Sequence, residues 1–157
     1  ILIGLVGSEM CIRDRANTAH PAFISMIERM SPDEAKILEY LKDKEDIQYC
    51  DINAYSQNGS GFVCLYEHIT VLEVDVPLNY QQNTNVYLAN FVSLGILCDK
   101  EGRSIMDKTQ YNRIREKYHI EELTEESVPM IYKSIEVVES YYQVTPFGRL
   151  FIQACIK

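Results

Sequence analysis

The tetrapeptide Ser31-Pro32-Asp33-Glu34 leaves the chain little local choice. Ser31 can accept from the amide of Glu34, and Glu34 can reach back to the amide of Ser31. Pro32 fits the first helical position, where its missing N–H costs nothing. A helix therefore starts here, carries Ile37, Leu38 and Leu41 inward, and ends near Asp43. A second start of the same kind stands near the C-terminus. Thr145 reads as an N-cap and Pro146 as the first-turn proline, with Phe147, Leu150, Phe151, Ala154 and Cys155 as one apolar stripe. Gly148 falls inside that helix and marks a close approach of helix to strand.

The stretches around these anchors are read from their period. His20-Pro21 begins a short amphipathic helix with Phe23, Ile27 and Met30 on one face. From Ile47 to Tyr55 β-forming residues mix with polar ones, and Asn58-Gly59-Ser60-Gly61 is a turn. Phe62 to His68 fits helix or strand equally. Ile69 to Val76 alternates, placing Leu72, Val74 and Val76 on one side of a strand that Pro77 closes. A further helix runs from about Gln81 to Leu94, buries Tyr87, Phe91 and Leu94, and ends on Gly95 in the left-handed conformation. Ile96-Leu97-Cys98 is a short strand and Asp99-Lys100-Glu101-Gly102 its turn. Ile105 to Tyr118 contains a helix, an acidic stretch follows through Glu121, Glu122, Glu125 and Glu126, and Ser134 to Val144 is rich in β-formers.

This order predicts an α+β, winged-helix-like domain, mainly helical with a small antiparallel sheet. The wing-like phrase is a helix that ends in Gly95 and enters a strand, answered by a strand that leads through Thr145-Pro146-Phe147-Gly148 into a closing helix. Fold-level analogy of this kind carries no DNA binding with it.

The first fifteen residues are expected to lie outside that domain. The run Val6 to Asp14 can be written in codons that read as the adapter end used in transposase-based sequencing libraries. It lacks the positive start and small-residue cleavage site of a signal peptide. Residues 1–15 are therefore read as non-native, and residues 16–157 as a single domain. Removing Arg13 and Arg15 together with Glu9 and Asp14 leaves the net charge at −8. That charge disfavours nucleic acid as the main partner, because phosphate contacts need clustered cations. No stretch approaches the roughly 20 apolar residues of a membrane span. Cys50, Cys64, Cys98 and Cys155 are irregularly spaced, as free thiols of a cytoplasmic protein would be.

Few residues suggest chemistry. Cys64 and His68 stand four apart, a metal-ligand spacing that no second pair completes, so no metal or cofactor is expected. His20, beside a proline at a helix start, reads as a capping residue before a base. Ser31 has no nearby histidine and is explained by its cap. Asn79, Gln81, Gln82, Asn83 and Asn85 begin the helix that would enter a major groove, and such side chains can read adenine. Yet no Lys or Arg occurs from Leu78 to Ile96. The one cationic run is Lys100, Arg103, Lys108, Arg113, Arg115 and Lys117, set among Glu101, Asp107 and Glu116. Of these, Lys108, Arg113, Arg115 and Lys117 form the candidate surface for a phosphate or an acidic partner, against the plainer reading of a solvated helix face. Tyr111, Tyr118, Tyr132, Tyr141 and Tyr142 suit either a partner surface or sheet packing.

Three blocks taken together resemble the abortive infection alpha family. They are His20 through Ile24 with Met30 through Ala35, Leu88 through Leu97, and Val144 through Cys155. The resemblance implies the C-terminal part of a bacterial phage-defence protein, in a system where an infected cell halts or dies before phage is released. It supplies no catalytic residues. The reading is a non-enzymatic interaction domain whose partner is a protein, without membrane contact. A winged-helix DNA-binding regulator is the alternative, and an enzyme acting on nucleic acid stands third.

Overall fold

A computed structural model of the chain describes residues 20–123 and 132–156. The expectations for residues 1–15, for Glu125 and Glu126 and for the Tyr132 side chain lie outside the described residues. Among the described residues, six α-helices and a four-stranded antiparallel sheet make the fold α+β. The helices are α1 (Ala22–Glu28), α2 (Pro32–Tyr40), α3 (Leu72–Asp75), α4 (Thr84–Ser93), α5 (Thr109–Lys117) and α6 (Pro146–Cys155). The strands are β1 (Asp46–Ser56), β2 (Phe62–Ile69), β3 (Leu97–Lys100) and β4 (Tyr132–Val144), in the order β2-β1-β4-β3. Among the described residues no helix exceeds ten residues, so strand takes a larger share than a mainly helical fold allows.

The described residues gather into two compact units, and the chain passes between them after Asp46, Leu72, Asp99 and Tyr142. In the first unit, both anticipated caps form. Ser31 Oγ accepts from the Glu34 amide at 3.3 Å, and a Glu34 carboxylate oxygen accepts from the Ser31 amide at 2.7 Å. Ile37, Leu38 and Leu41 are fully buried. Thr145 Oγ1 accepts from the Gly148 amide at 2.8 Å and starts α6. A Cβ on Gly148 would stand 2.9 Å from both Cα and C of Ile96, so only glycine lets helix and chain meet here. Gly95 has φ +76° and ends α4 as anticipated. Phe23 packs edge-on against Phe151 and Phe147, at 5.1 and 5.5 Å between ring centroids.

Four local expectations fail. Leu72–Asp75 is a helical turn, not a strand: Thr70 Oγ1 accepts from the Leu72 amide at 3.1 Å. Leu72 and Val76 are buried at a spacing of four, while Val74 is 61 % exposed. On α6 the buried residues are Gly148, Phe151, Ile152 and Cys155, and Leu150 turns outward at 59 % exposure. Leu94 is only half-buried, and β3 extends through Asp99 and Lys100, which the turn was expected to hold.

The second unit is built on the β1–β2 hairpin, whose turn forms at Asn58–Gly61. Tyr55 pairs with Phe62, Ala54 with Val63 and Asn53 with Cys64; register shifts follow on both sides of Ile52. Cys50, Ile52 and Ile69 of the hairpin pack with Val71, with Tyr111 and Ile114 of α5, and with Ile120. Leu65, Ile135 and Val137 close this core at its margin. Among the described residues β2 is an outer strand, and Phe62, Val63 and Tyr66 on it are 56, 45 and 40 % exposed.

Candidate functional site

Helix α5 carries the cations that the sequence singles out, and its start explains their placement. Asp107 Oδ1 accepts from the Thr109 hydroxyl at 2.6 Å and from the Thr109 amide at 3.0 Å. These bonds hold the Asp107 carboxyl below its ordinary range despite some desolvation. From there the helical period sets two flanks around the buried Tyr111 and Ile114. Lys108 and Arg115, seven apart, both reach Glu139 on β4, at 2.5 and 3.4 Å; Arg115 also reaches Glu121 at 3.3 Å. Arg113 and Lys117, four apart, lie on the other flank. Arg113 donates to the Gln110 side chain at 2.8 Å, and Lys117 to the Thr70 carbonyl at 3.5 Å. Lys108 and Lys117 also sit over the rings of Tyr111 and Tyr118, 5.0 and 4.9 Å from the centroids.

The four cations thus share an element without converging on one point. An open groove of about 420 Å³ runs by the end of α5, lined by Asn112, Arg115, Glu116, His119, Glu121 and Glu122. It offers three carboxylates to one guanidinium. Charge of that sign does not gather phosphate.

A second constellation lies at the far end of β2. His68 has φ +49°, a conformation uncommon for a residue with a side chain. Its amide donates to Asp51 Oδ1 at 2.6 Å, and its Nε2 stands 3.9 Å from the same oxygen. Its Nδ1 lies 3.2 Å from the Tyr142 hydroxyl. The Tyr49 ring packs edge-on to the imidazole at 4.6 Å between centroids. His68 therefore gathers with Asp51 and Tyr142 rather than with Cys64, which is exposed and directs its thiol to the Tyr66 carbonyl at 3.2 Å. Among the described residues no group of three His, Cys, Asp or Glu side chains could hold a metal ion.

A network in the first unit was not anticipated. Asp33 is almost wholly buried, and its carboxylate accepts from the amides of Asn79 and Tyr80 at 2.8 Å each and from the Tyr87 hydroxyl at 3.1 Å. Lys36 stands 3.5 Å away. Burial alone would raise this carboxyl, but the donors outweigh it and hold the pKa below the ordinary 3.8. The neighbouring Glu34 accepts from Asn90 at 2.6 Å while serving its own cap. Capping potential at Asp33 is visible locally; its use 46 and 47 residues away is not.

Comparison with known proteins adds a family. The sequence model for abortive infection alpha matches residues 8–155, nearly the whole chain. The chain belongs to the abortive infection alpha family. None of the curated proteins matches it. One solved structure similar to this abortive infection alpha chain is that of an uncharacterized protein from the hydrocarbon-degrading marine bacterium Alcanivorax borkumensis SK2. It is 15 % identical, with a TM-score of 0.49 over 85 % of this chain and 94 % of that one.

The remaining candidates of this abortive infection alpha chain resolve one by one. His20, one residue before the Pro21 N-cap, accepts through Nδ1 from the Ala22 amide at 3.2 Å, and its ring packs near Phe23 and Phe147. Tyr111 and Tyr142 are core residues, and the Tyr111 hydroxyl donates to the Ser140 carbonyl at 3.0 Å. Tyr118 and Tyr141 are half-buried; among the described side chains the outward tyrosines are Tyr66 and Tyr80. Asn79, Gln81, Gln82 and Asn85 are exposed at the approach to α4 and along its first turn. No helix among the described residues is long and apolar enough to cross a membrane.

Proposed function

We propose that this chain is a non-enzymatic interaction domain of a cytoplasmic bacterial phage-defence system, and that it works by binding another protein. The observation that carries the reading is the outer strand β2, where Phe62, Val63 and Tyr66 are all exposed, Phe62 and Val63 on opposite faces. Grouped apolar exposure beside an open strand edge favours association. The α5 cations support the same reading, since Lys108 and Arg115 already meet Glu139. A light-activated crosslinker at position 62, in cells challenged with phage, is expected to give a discrete heteromeric adduct that the same group at Met106 does not. Identical patterns from both positions would remove the reading.

A second reading has one observation in its favour. Gln82, in the turn before α4, and Asn85, in its first turn, are exposed where a winged-helix regulator would present its recognition helix. That reading requires salt-dependent duplex binding that weakens when Arg113 and Arg115 are made neutral. Absence of duplex binding at low salt disposes of it. A catalytic reading of Asp51, His68 and Tyr142 ranks third, because partners stand near both ring nitrogens of His68.

A further inference from the structure

The outer strand also carries information about the charge of what docks on it. From Ile47 to Leu72, across β1, its turn and β2, the chain contains no Lys or Arg; the charged residues are Asp51 and Glu67. Exposed edges are commonly guarded by lysine or proline, and β2 has neither. Two carboxylates lie near these apolar residues, one on β2 itself and one on β4, on the far side of β1. Glu67 follows Tyr66 directly, and Glu136 of β4 accepts from the Tyr55 hydroxyl at 2.7 Å, while the Tyr55 ring packs on Phe62 at 5.3 Å. The whole chain has a net charge of −8, so a second copy would meet repulsion that a cationic chain would not.

We infer that β2 receives an extended, positively charged segment of another protein, its apolar side chains against Phe62, Val63 and Tyr66 and its Lys or Arg toward Glu67 and Glu136. The inference rests on the interaction reading above and gives it a partner class. Register is regular only from Phe62 to Cys64, and the shifts near Ile52 interrupt pairing beyond it. Backbone pairing with a guest is therefore short, and charge supplies much of the selectivity.

The test uses a labelled peptide of alternating Lys and Val, its counterpart with Glu for Lys, and fluorescence anisotropy on the full chain. The basic peptide is expected to bind, more weakly as salt rises, and the acidic one not to bind. Glu67→Gln and Glu136→Gln should each weaken the basic peptide by about two- to fivefold, as exposed ion pairs do. Val63→Lys should abolish binding, and an unchanged melting temperature shows that the variant folds. Equal binding of both peptides, lost in Val63→Lys, overturns the charge inference and leaves the interaction reading standing. Failure of both peptides, with a heteromeric crosslink still formed from position 62, has the same meaning. Failure of both without that crosslink removes both. Concentration-dependent dimers lost in Val63→Lys overturn the inference by making a second copy the occupant.

Discussion

Replacing Asp33 by Ala removes the most heavily used buried carboxylate in the first unit. In the native protein it accepts from Asn79 N, Tyr80 N and Tyr87 Oη while almost wholly buried. A hydrogen bond to a charged group contributes about 1.5–3 kcal/mol. Three such bonds do not simply add, because desolvating the carboxylate costs several kcal/mol. The variant, however, leaves two backbone amides and a phenol hydroxyl without their acceptor, and a buried donor left unsatisfied costs about 1–3 kcal/mol. We take about 3 kcal/mol, which for a chain of this size lowers Tm by about 6–12 °C. Urea and thermal unfolding measure both quantities. The folded-state pKa lies below 3.8, so this stabilisation is fully present above that value and is lost as pH falls through the folded pKa. The variant should therefore lose less stability than the native protein between neutral pH and strongly acidic pH. A loss under about 1 kcal/mol, the scale of an ordinary surface change, would refute the reasoning, as would an unchanged acid limb.

Gly148→Ala forces a methyl against the backbone of Ile96 and should cost about 2 kcal/mol or more in urea unfolding, whereas the exposed Gly59 accepts no such clash. Ser31→Ala removes half of the capping box and should cost about 1 kcal/mol, with most of it restored by Ser31→Asp. Thiol labelling at mildly alkaline pH, read peptide by peptide, should modify Cys64 well before Cys50 or Cys155. Burial pushes those two thiols up to about 12, whereas Cys64 is exposed and raised less; early labelling of Cys50 would contradict the packing of the second unit.

Much of the fold is legible in the sequence because its signals are local. Ser31, Thr145 and Gly95 each act on backbone groups within a few residues, and Gly148 announces a close approach although its partner, Ile96, is remote in the chain. Leu72, Val74 and Val76 show the opposite case. Their spacing fits alternation, but the Thr70–Leu72 hydrogen bond selects a helical turn, and periodicity over five residues cannot separate the two. The candidate surface on α5 was found as residues but not as an electrostatic state, since Glu139 lies 31 positions from Lys108 and 24 from Arg115.

The sequence by itself determined the family, the α+β class, the two capped helix starts at Ser31 and Thr145 and the acidic balance, because composition, motif order and capping chemistry are properties of the chain. Tertiary structure alone decided that β2 is an outer strand, that His68 meets Asp51 and Tyr142 rather than Cys64, and that Asp33 holds the approach to α4. Those outcomes depend on which distant segments share a sheet or a core, and no local propensity encodes that pairing.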